Sequence, residues 1–421
     1  MNIDYPLLQK SLELAALHRQ DNVAALSLKL AGRTDVDVPF VLNQIQGYQR
    51  MRLKVPRWAQ TEGILYPRHL SVEQCSSQAT ALYKQQLVST LLPDPAMRQS
   101  MADLTGGLGV DFSFMAPLFA ESYYVERQEE LCRLAAHNFP LLGLEGSHIR
   151  VGDGLSFLTG EARGQQPFSL LFADPARRSA TGRKVVALAD CEPDLTRCLP
   201  LLLERTACLL LKLSPMLDIS QAATQLPGTQ QVHILSVDGE CKELLLVVGR
   251  EPAADLQYTC HGSRFHFSFS ASEEQQAAPQ LADAPGAYLY EPDAAVMKSG
   301  AFKTLCSRFG VRALHPNSHL YTSDVWRPDF PGRGFAVEEV CGFSKHDLRR
   351  LRSLTDRANL AVRNFPMRVP DLRKKLGLRE GGDYYLFATT LRRGEKALIV
   401  TRKTDGTRTS ADTSTSGEGT V

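Results

Sequence analysis

Short apolar strands alternate with helical segments between residues 96 and 250, and this alternation constrains the fold more than any other feature of the sequence. Strands separated by helices pair in parallel, and the helices cover both faces of the sheet. The last two strands flank a tight DGECK turn, which predicts a hairpin with an antiparallel edge. The sequence therefore predicts an α/β fold with a Rossmann-like, seven-stranded core. The strand segments are SMADLTGG, SYYVERQ, HIRVGDG, FSLLFADP, ACLLLKLSP, QVHILSV and ELLLVVGR.

Three further segments flank this core. Residues 1–95 place apolar side chains at helical spacing, so we expect a helical N-terminal region. Residues 251–404 read as α+β structure, whose division into two domains is implied by the resemblance given below. Residues 405–421 are rich in Ser, Thr and Gly with almost no apolar side chains, which predicts a disordered tail.

Composition narrows the possible partners and the compartment. The formal net charge is only +2, so contact with a nucleic acid would need a local basic surface. The nine cysteines are scattered without CxxC spacing, and no signal peptide or membrane-length apolar run is present. We expect a cytoplasmic protein with reduced thiols, no membrane contact and no metal site. His261 and His266 are the nearest to a metal pair, but strand alternation explains His266 better.

The stretch DLTGGLGVD ends a strand at Asp103 and continues into a glycine turn. Glycine permits backbone conformations and close approaches that a side chain would block. A dinucleotide-binding fingerprint would need a third glycine at position 112, which is Phe112. The turn therefore favours a nucleoside ligand other than NAD. Its candidate binding residues are Asp103, Thr105, Gly107, Gly109 and Asp111.

Acidic residues end three successive predicted strands, at Asp103, Glu126 and Asp153. Glu126 lies about twenty residues after the turn, where a carboxylate commonly binds ribose hydroxyls. Asp153 is placed to accept a hydrogen bond from an adenine amine. The three together suit an aminoacyl nucleoside with an ammonium, a ribose and an adenine, which describes S-adenosylmethionine. A helix cap is the alternative role for any one of them.

The stretch FADPAR follows the fourth predicted strand and supplies the candidate catalytic residues Asp174, Pro175 and Arg177. The loop is similar to the [DNS]-P-P-[FYW] loop of amino-group methyltransferases, from which Ala176 and Arg177 depart. We expect Asp174 to orient the nucleophile. A covalent mechanism at uridine C5 would need a cysteine after the next strand, where KLSP stands. Arg178 and Arg183 are candidates for gripping phosphates beside this loop, or else belong to a solvated helix start.

Seven stretches together resemble bacterial class I S-adenosylmethionine-dependent methyltransferases with a ferredoxin-like domain and a C-terminal THUMP-like domain. The resemblance covers nearly the whole chain apart from the tail, and implies that 251–333 is ferredoxin-like and 334–404 THUMP-like. It also implies an RNA substrate, because THUMP domains bind RNA in better-understood enzymes. The stretches are KVPRWAQTEGILYPRHLSVEQCSSQATALYK, DLTGGLGVD, FADPARR, YLYEPDAAVMKSGAF, LHPNSHLYTS, DFPGRGF and FPMRVPDLRKKLGLREGGDYYLFATTL.

An N-terminal helix covers the cofactor in this family, and EQCSSQATALYKQ is similar to it. Gln74, Ser77 and Thr80 would share one side of such a helix, so Gln74 and Thr80 are candidate cofactor-binding residues. The alternative is an ordinary helix cap at Ser76 or Ser77.

Lysine and arginine are dense between residues 345 and 379, which reveals a local basic surface behind the near-neutral total. Arg373, Lys374 and Lys375 are candidate RNA-binding residues on this surface, and a solvated helix face is the alternative. The sequence as a whole predicts a methyltransferase acting on a base of tRNA or rRNA. A methyltransferase acting on a protein or a small molecule, and a non-catalytic RNA-binding protein with this fold, stay open as alternatives.

Overall fold

A computed structural model describes residues 5–67, 69–164, 166–177 and 188–404 of the chain. The predicted tail therefore lies outside the described residues. The chain divides into two compact units. The first comprises Met1–Gln230 and Glu243–Ala253, and the second comprises Gln231–Lys242 and Ala254–Val421. Within the described ranges, no helix is both long enough and apolar enough to cross a membrane.

Helices and short strands alternate through the first 253 residues. The helices are α1 (Tyr5–Leu17), α2 (Val23–Leu30), α3 (Val38–Lys54), α4 (Pro56–Gln60), α5 (His69–Gln74), α6 (Gln78–Leu91), α7 (Val110–Met115), α8 (Glu129–Leu141), α9 (Gly154–Thr159), α10 (Leu195–Glu204) and α11 (Ile219–Gln225). The strands are β1 (Ser100–Asp103), β2 (Glu121–Glu126), β3 (His148–Val151), β4 (Leu170–Ala173), β5 (Ala176–Arg177), β6 (Cys191–Glu192), β7 (Leu209–Leu213), β8 (Thr229–Val237) and β9 (Glu240–Val248).

The sheet of the first unit runs in the order β3-β2-β1-β4-β7-β9. Pairing is parallel from β3 to β7, and β9 lies antiparallel to β7. Every residue of β4 and β7 is buried, as expected for strands covered on both faces. The predicted α/β fold with a parallel, helix-covered sheet is confirmed, and the carboxyl ends of β1, β2 and β4 meet at one edge.

The N-terminal residues are helical, and their helices pack on a small core of their own. Leu26, Leu30, Val41 and Ile45 are among its buried residues. Side chains cap α2, α3 and α6 through Asn22, Asp37 and Ser77, each accepting a hydrogen bond from a backbone N–H of the first turn.

Beyond residue 253 the described chain forms further helices and strands of the second unit. The helices are α12 (Ala271–Gln276), α13 (Ala294–Ser299), α14 (Thr304–Phe309), α15 (Lys345–Leu354) and α16 (Val369–Leu376). The strands are β10 (Gln257–Gly262), β11 (Phe265–Ser270), β12 (Tyr288–Pro292), β13 (Arg312–Ala313), β14 (Tyr321–Ser323), β15 (Gly332–Cys341), β16 (Asn359–Arg363), β17 (Tyr384–Thr390) and β18 (Lys396–Lys403).

A seven-stranded sheet organises most of the second unit, in the order β13-β14-β12-β15-β18-β17-β16. One core under it includes Leu348, Leu351, Leu372 and Leu376 from the inner faces of α15 and α16. A second, separate core includes Leu289, Phe335 and Phe387. The two helices share the first core with buried residues of β17 and β18.

Two strands of the second unit depart from the predicted arrangement. Residues 257–270 form the antiparallel pair β10–β11. The chain reverses after Gly262, where a Cβ would lie 2.4 Å from the Phe265 ring. β8 pairs in parallel with β10, so the structure adds two strands to the seven predicted.

A buried ionic cluster ties the N-terminal helices of the first unit to its sheet. Lys84 of α6 is fully buried, and its Nζ lies 2.9 Å from Asp111 Oδ1 and 2.5 Å from Glu243 Oε2. Thr80 Oγ1 donates to Glu243 Oε1 at 2.8 Å, and Ser76 Oγ donates to Asp111 Oδ2 at 2.7 Å. Charges out of water are tolerated only when paired and hydrogen-bonded in this way.

We predict that Lys84→Met lowers the free energy of unfolding by about 3–5 kcal/mol, because it leaves Glu243 buried without its cation and Asp111 with only the more distant Lys212. Urea unfolding followed by circular dichroism measures the change. Lys29→Met is the matched control, since Lys29 is an exposed lysine of α2. Equal stability of the two variants would show that the cluster contributes nothing to folding.

Candidate active site

Asp103 ends β1 and lies almost completely buried at the carboxyl edge of the sheet, with 2% of its surface exposed. Its Oδ1 accepts a hydrogen bond from the Thr105 N–H at 3.0 Å. Burial, helped by the neighbouring carboxylates of Asp111, Asp174 and Glu126, raises the pKa of Asp103 to about 8, although the hydrogen bond from Thr105 opposes this rise. A carboxyl group in this state is suited to a cationic ligand, whose charge would favour ionisation of the group.

The glycine turn after β1 has the backbone geometry that the sequence predicts. Gly107 and Gly109 have φ of +55° and +81°, and Gly109 stands directly before α7. The Gly107 N–H donates to Glu126 Oε2 at 2.8 Å, so the carboxylate at the end of β2 lies against the turn. A Cβ at Gly106 would lie 2.3 Å from the ring of Tyr124, whereas one at Gly107 would meet only the Thr105 carbonyl at 3.6 Å. The turn therefore packs tightly on the sheet side and is open above Gly107.

Asp153 follows β3 and makes two kinds of contact. Its Oδ1 caps α9 by accepting from the Ser156 N–H at 2.9 Å, and its Oδ2 lies 2.5 Å from Arg127 Nη2. Arg127 also reaches Glu192 Oε1 at 2.6 Å through Nη1. Burial alone would raise the pKa of Asp153, but Arg127 and the cap lower it. A cavity of about 500 Å³ lies here, lined by Arg127, Leu155, Ala189, Glu192, Pro193, Asp194, Arg197 and Cys198.

Asp174, directly after β4, is held in place from both its backbone and its side chain. Its N–H donates to Thr105 Oγ1 at 2.7 Å, which joins the loop to the glycine turn. Its Oδ2 lies 2.5 Å from Lys212 Nζ, and 40% of its side chain stays exposed. Burial of the inner part raises the pKa of Asp174, and the pairing with Lys212 opposes this rise. The structure therefore presents one fixed carboxylate beside the glycine turn.

The rest of the predicted loop is described in part. Pro175 is buried, and Ala176 and Arg177 form β5, which pairs antiparallel with Cys191 and Glu192 of β6. The Arg177 side chain, Arg178 and Arg183 lie outside the described residues.

Lys212 is a residue of this site that the sequence analysis did not single out. It lies in β7, and its Nζ is 2.5 Å from Asp174 Oδ2 and 3.6 Å from Asp111 Oδ2. Burial lowers the pKa of Lys212, but Asp174, Asp111 and Glu243 outweigh it and raise the pKa well above its usual range. The sequence does carry a signal for Lys212, which is a lysine inside the apolar run LLLKLSP. A buried charge in a central strand requires a partner of opposite charge, so this lysine indicates an acidic residue nearby.

Three of the predicted cofactor-binding residues do not lie at the open face of the glycine turn. Asp111 accepts from Ser76 and pairs with Lys84, and Thr80 donates to Glu243, so both belong to the buried ionic cluster. Gln74 is exposed at the end of α5. The prediction of one helical face for Gln74 and Thr80 is wrong, because Ser77 caps a new helix, α6, between them.

The candidate RNA-binding residues lie on α16 of the second unit. Lys374 and Lys375 are exposed, and Lys375 Nζ lies 4.4 Å from the centre of the Phe343 ring. Arg373 is half-buried, and its Nη1 donates to the Ala358 carbonyl at 3.1 Å. The two lysines are thus accessible, whereas Arg373 also holds the chain before β16.

Among the residues described, no group of three or more His, Cys, Asp and Glu side chains is arranged to hold a metal ion. The residues at the carboxyl edge fit S-adenosylmethionine instead. The cofactor carries an ammonium and a sulfonium, and Asp103 offers a buried carboxyl group that a cation would stabilise. The surface above Gly107 offers space for backbone contact.

Comparison with known proteins gives matches over the second unit and over most of the chain. Family models for a ferredoxin-like domain and for a THUMP domain-like segment match residues 288–331 and 332–403. Uncharacterized S-adenosylmethionine-dependent methyltransferases from two strains of Mycobacterium tuberculosis are each 28% identical over 284 residues, covering 66% of this chain and 73% of theirs.

A solved structure extends the similarity to nearly the full chain. A crystal structure from Porphyromonas gingivalis, designated a methyltransferase, is 34% identical and covers 96% of this chain and 100% of its own, with a TM-score of 0.81. The carboxyl-edge site, the glycine turn and both C-terminal domain matches agree with this similarity. The chain belongs to the class I S-adenosylmethionine-dependent methyltransferases that carry ferredoxin-like and THUMP-like domains at the C-terminus.

Proposed function

We propose that this methyltransferase acts on RNA, at a nitrogen of a base in tRNA or rRNA. The observation that carries the proposal is the combination of a fixed Asp174 carboxylate beside the cofactor turn with a THUMP-like domain that exposes lysines. THUMP domains bind RNA in better-understood enzymes, which supports an RNA acceptor. The same reasoning makes the cytoplasm, where such RNA is available, the expected compartment.

The cofactor site is proposed to lie along the carboxyl ends of β1, β2 and β3. Asp103 would face the cationic methionine portion, Glu126 the ribose, and Asp153 with Arg127 the adenine. Thr105, Gly107 and Gly109 would form the floor of the site. When bound, S-adenosylmethionine supplies an already activated methyl group, so the protein has to position the nucleophile and accept its proton.

Asp174 would orient the acceptor by taking a hydrogen bond from its N–H. Thr105 fixes the Asp174 backbone and Lys212 fixes its side chain, which leaves little rotational freedom. The exposed part of the carboxylate would be available to the acceptor. Pro175 and Arg177 would shape the loop around it, with Arg178 and Arg183 as proposed phosphate contacts.

Cysteine chemistry at the carboxyl edge of the sheet is disfavoured by the position of one thiol and by the pKa values of two. Cys208 precedes β7 and so lies at the opposite, amino edge of the sheet, and burial raises its pKa to about 11. Burial likewise raises the pKa of Cys75, between α5 and α6, to about 11. Both thiols would be protonated near neutral pH, which supports direct transfer to a nitrogen over attack by a thiolate on a pyrimidine ring.

We predict transfer of label from tritiated S-adenosylmethionine into total RNA of a strain that lacks the gene, when the purified protein is added. Asp174→Asn should bind the cofactor as the wild type does and transfer label about 10²–10⁴-fold more slowly, because the oriented acceptor is lost. Asp218→Asn, at a helix cap remote from the loop in sequence, is the control.

Nucleoside digestion of the labelled RNA would then identify the modified base. Label that survives RNase treatment in the protein fraction would contradict the RNA proposal and indicate a protein acceptor. Wild-type transfer by Asp174→Asn would remove Asp174 from the mechanism.

Asp103 should make cofactor affinity depend on pH. Its pKa of about 8 means that the free site is protonated near neutral pH, and a bound cation favours the ionised form. Binding then releases a proton, so affinity should rise by up to about tenfold per pH unit between about pH 6 and about pH 7.5. Titration calorimetry measures the dissociation constant across that range.

Methylthioadenosine is the matched ligand for this measurement, because it lacks the amino-acid portion and its affinity should stay flat. Asp103→Asn should remove the pH dependence with S-adenosylmethionine. A cofactor affinity that is constant with pH in the wild type would show that Asp103 does not titrate on binding.

The basic surface of α16 should contribute sequence-independent affinity for RNA. Lys374→Glu with Lys375→Glu should weaken binding and lower the slope of log K against log salt by about 1.5, since each phosphate contact contributes about 0.7–0.9. Fluorescence anisotropy with labelled RNA at several salt concentrations measures both. The control, Lys10→Glu with Lys29→Glu, makes the same change in charge at exposed lysines. An equal slope in both double variants would assign α16 to a solvated face.

A further inference from the structure

Two arginines of the second unit share a single buried carboxylate. Glu291 of β12 is buried, and its Oε2 accepts from Arg333 Nε at 3.0 Å and also from Arg333 Nη2. Its Oε1 accepts from Arg363 Nη2 at 2.6 Å. One negative charge therefore faces two guanidinium groups, and the cluster keeps one positive charge in a fixed position.

Both guanidinium groups retain donors. Arg333 uses Nε and Nη2 on Glu291, while Arg363 uses Nη2 on Glu291 and Nη1 on the Val362 carbonyl at 3.1 Å. Among the described residues, Arg333 Nη1 and Arg363 Nε have no acceptor. The side chains are 46% and 42% exposed, respectively, so these donors are accessible. Arg333 Nη1 and Arg363 Nε, on guanidinium groups held by a common carboxylate, can donate charge-assisted hydrogen bonds to phosphate oxygens.

A histidine is held beside Arg363 with its orientation fixed. His315 Nδ1 lies 3.0 Å from the Asn317 N–H and 3.1 Å from the amide nitrogen of Asn364, the residue after Arg363. Because Nδ1 accepts from both, the ring proton lies on Nε2, which is then a further donor. Lys396 is tied to the same place, since its Nζ donates to Thr390 Oγ1 at 2.6 Å and Thr390 donates to the Asn364 carbonyl.

The backbone beside the arginines adopts an uncommon conformation at two points. His319 and Asn364 have φ of +51° and +52°, in the left-handed region that side chains disfavour. The His319 ring stacks on Phe302 with centroids 3.9 Å apart. Burial lowers the pKa of His319, and the nearby charge of Arg363 lowers it further, which places His319 in the same cluster. Such conformations persist where the surrounding structure enforces them, often at binding sites.

The cluster also brings together sequence stretches that contribute no residue to the candidate active site. Glu291 comes from YLYEPDAAVM, His315 and His319 from LHPNSHLYTS, and Arg333 from DFPGRGF. Arg363 stands two residues before FPMRVP. These stretches carry the family resemblance, yet each is far in sequence from the glycine turn and from Asp174.

We propose that Arg333 and Arg363, with Glu291 as their common anchor, form a phosphate-binding site that takes a phosphate of RNA. The phosphate is either a terminal monoester or an internal diester, since both present oxygens that accept from the two free guanidinium nitrogens. The source of the phosphate rests on the proposed RNA function, whereas the site itself does not.

The test compares two variants of the full-length protein. Arg363→Met removes one of the two guanidinium groups and leaves the Arg333–Glu291 pair intact, so the buried carboxylate of Glu291 keeps a partner. Arg308→Met is the matched control, because Arg308 is another half-exposed arginine of the same unit, paired with Glu273 at 2.5 Å. Two of the probes are fluorescent decauridylate RNAs, one with a 5′-phosphate and one with a 5′-hydroxyl, and their binding is measured by fluorescence anisotropy. The third probe is uridine monophosphate, and its binding is measured by calorimetry.

We expect Arg363→Met to weaken phosphate binding about tenfold and Arg308→Met to leave it unchanged. Loss confined to the phosphorylated RNA and the mononucleotide identifies a terminal monoester, and equal loss with both RNAs identifies a diester. If the wild type binds neither RNA but binds the mononucleotide, and Arg363→Met loses that binding, the phosphate site stands and the RNA function fails.

Equal binding by the two variants with every probe, or no binding of any probe by the wild type, overturns the site. Should Arg363→Met fail to fold by circular dichroism, Arg363→Lys replaces it. Arg363→Lys keeps the positive charge and loses the planar guanidinium group. An affinity for phosphate between that of the wild type and that expected for Arg363→Met therefore supports the site. Wild-type affinity in Arg363→Lys would overturn the role of the guanidinium group.

Discussion

The first unit depends on one buried set of charges. Lys84 joins α6 to Asp111 and Glu243, and Lys212 lies between Asp111 and Asp174. The chain of contacts therefore runs from an N-terminal helix, through the helix after the glycine turn, to the loop after β4. Charges in such a place are stable only as a complete set, because each one removed leaves another without its partner. Folding of the N-terminal helices and geometry of the candidate catalytic loop are thus coupled.

The same set explains why the carboxyl edge of the sheet suits a cationic cofactor. Lys84 and Lys212 compensate Asp111, Glu243 and Asp174, three carboxylates for two lysines. Asp103 adds a fourth carboxyl group, whose pKa of about 8 reflects burial without a cation of its own. A ligand with an ammonium and a sulfonium would offset part of this negative charge, whereas a pyrophosphate would be repelled. The electrostatics and the glycine turn therefore favour the same ligand.

Local patterns in the sequence were sufficient for the fold and for part of the site. Strand–helix alternation predicts the parallel sheet, and Asp103, Glu126 and Asp174 come at strand ends because carboxyl ends of parallel strands share one edge. Partners distant in the chain could not be predicted, since Thr80 and Glu243 stand 163 residues apart. The spacing of Gln74 and Thr80 predicted one continuous helix, but Ser77 caps a new helix between them. Residue spacing alone does not show where one helix ends and the next begins.

The density of lysine and arginine in the C-terminal region also overstates the positive charge that is available for binding. Several of its arginines are occupied: Arg350 pairs with Glu339, Arg379 with Asp356, and Arg352 donates to the carbonyls that end α16. A solvated basic face would leave such charges unpaired and interchangeable. Exposed charge remains at Lys345, Arg349 and Arg368 and at the lysines of α16, whereas hydrogen bonds to Glu291 hold the guanidinium groups of Arg333 and Arg363 in place. For an RNA acceptor, the exposed charges would add affinity and the held groups would select the positions of its phosphates.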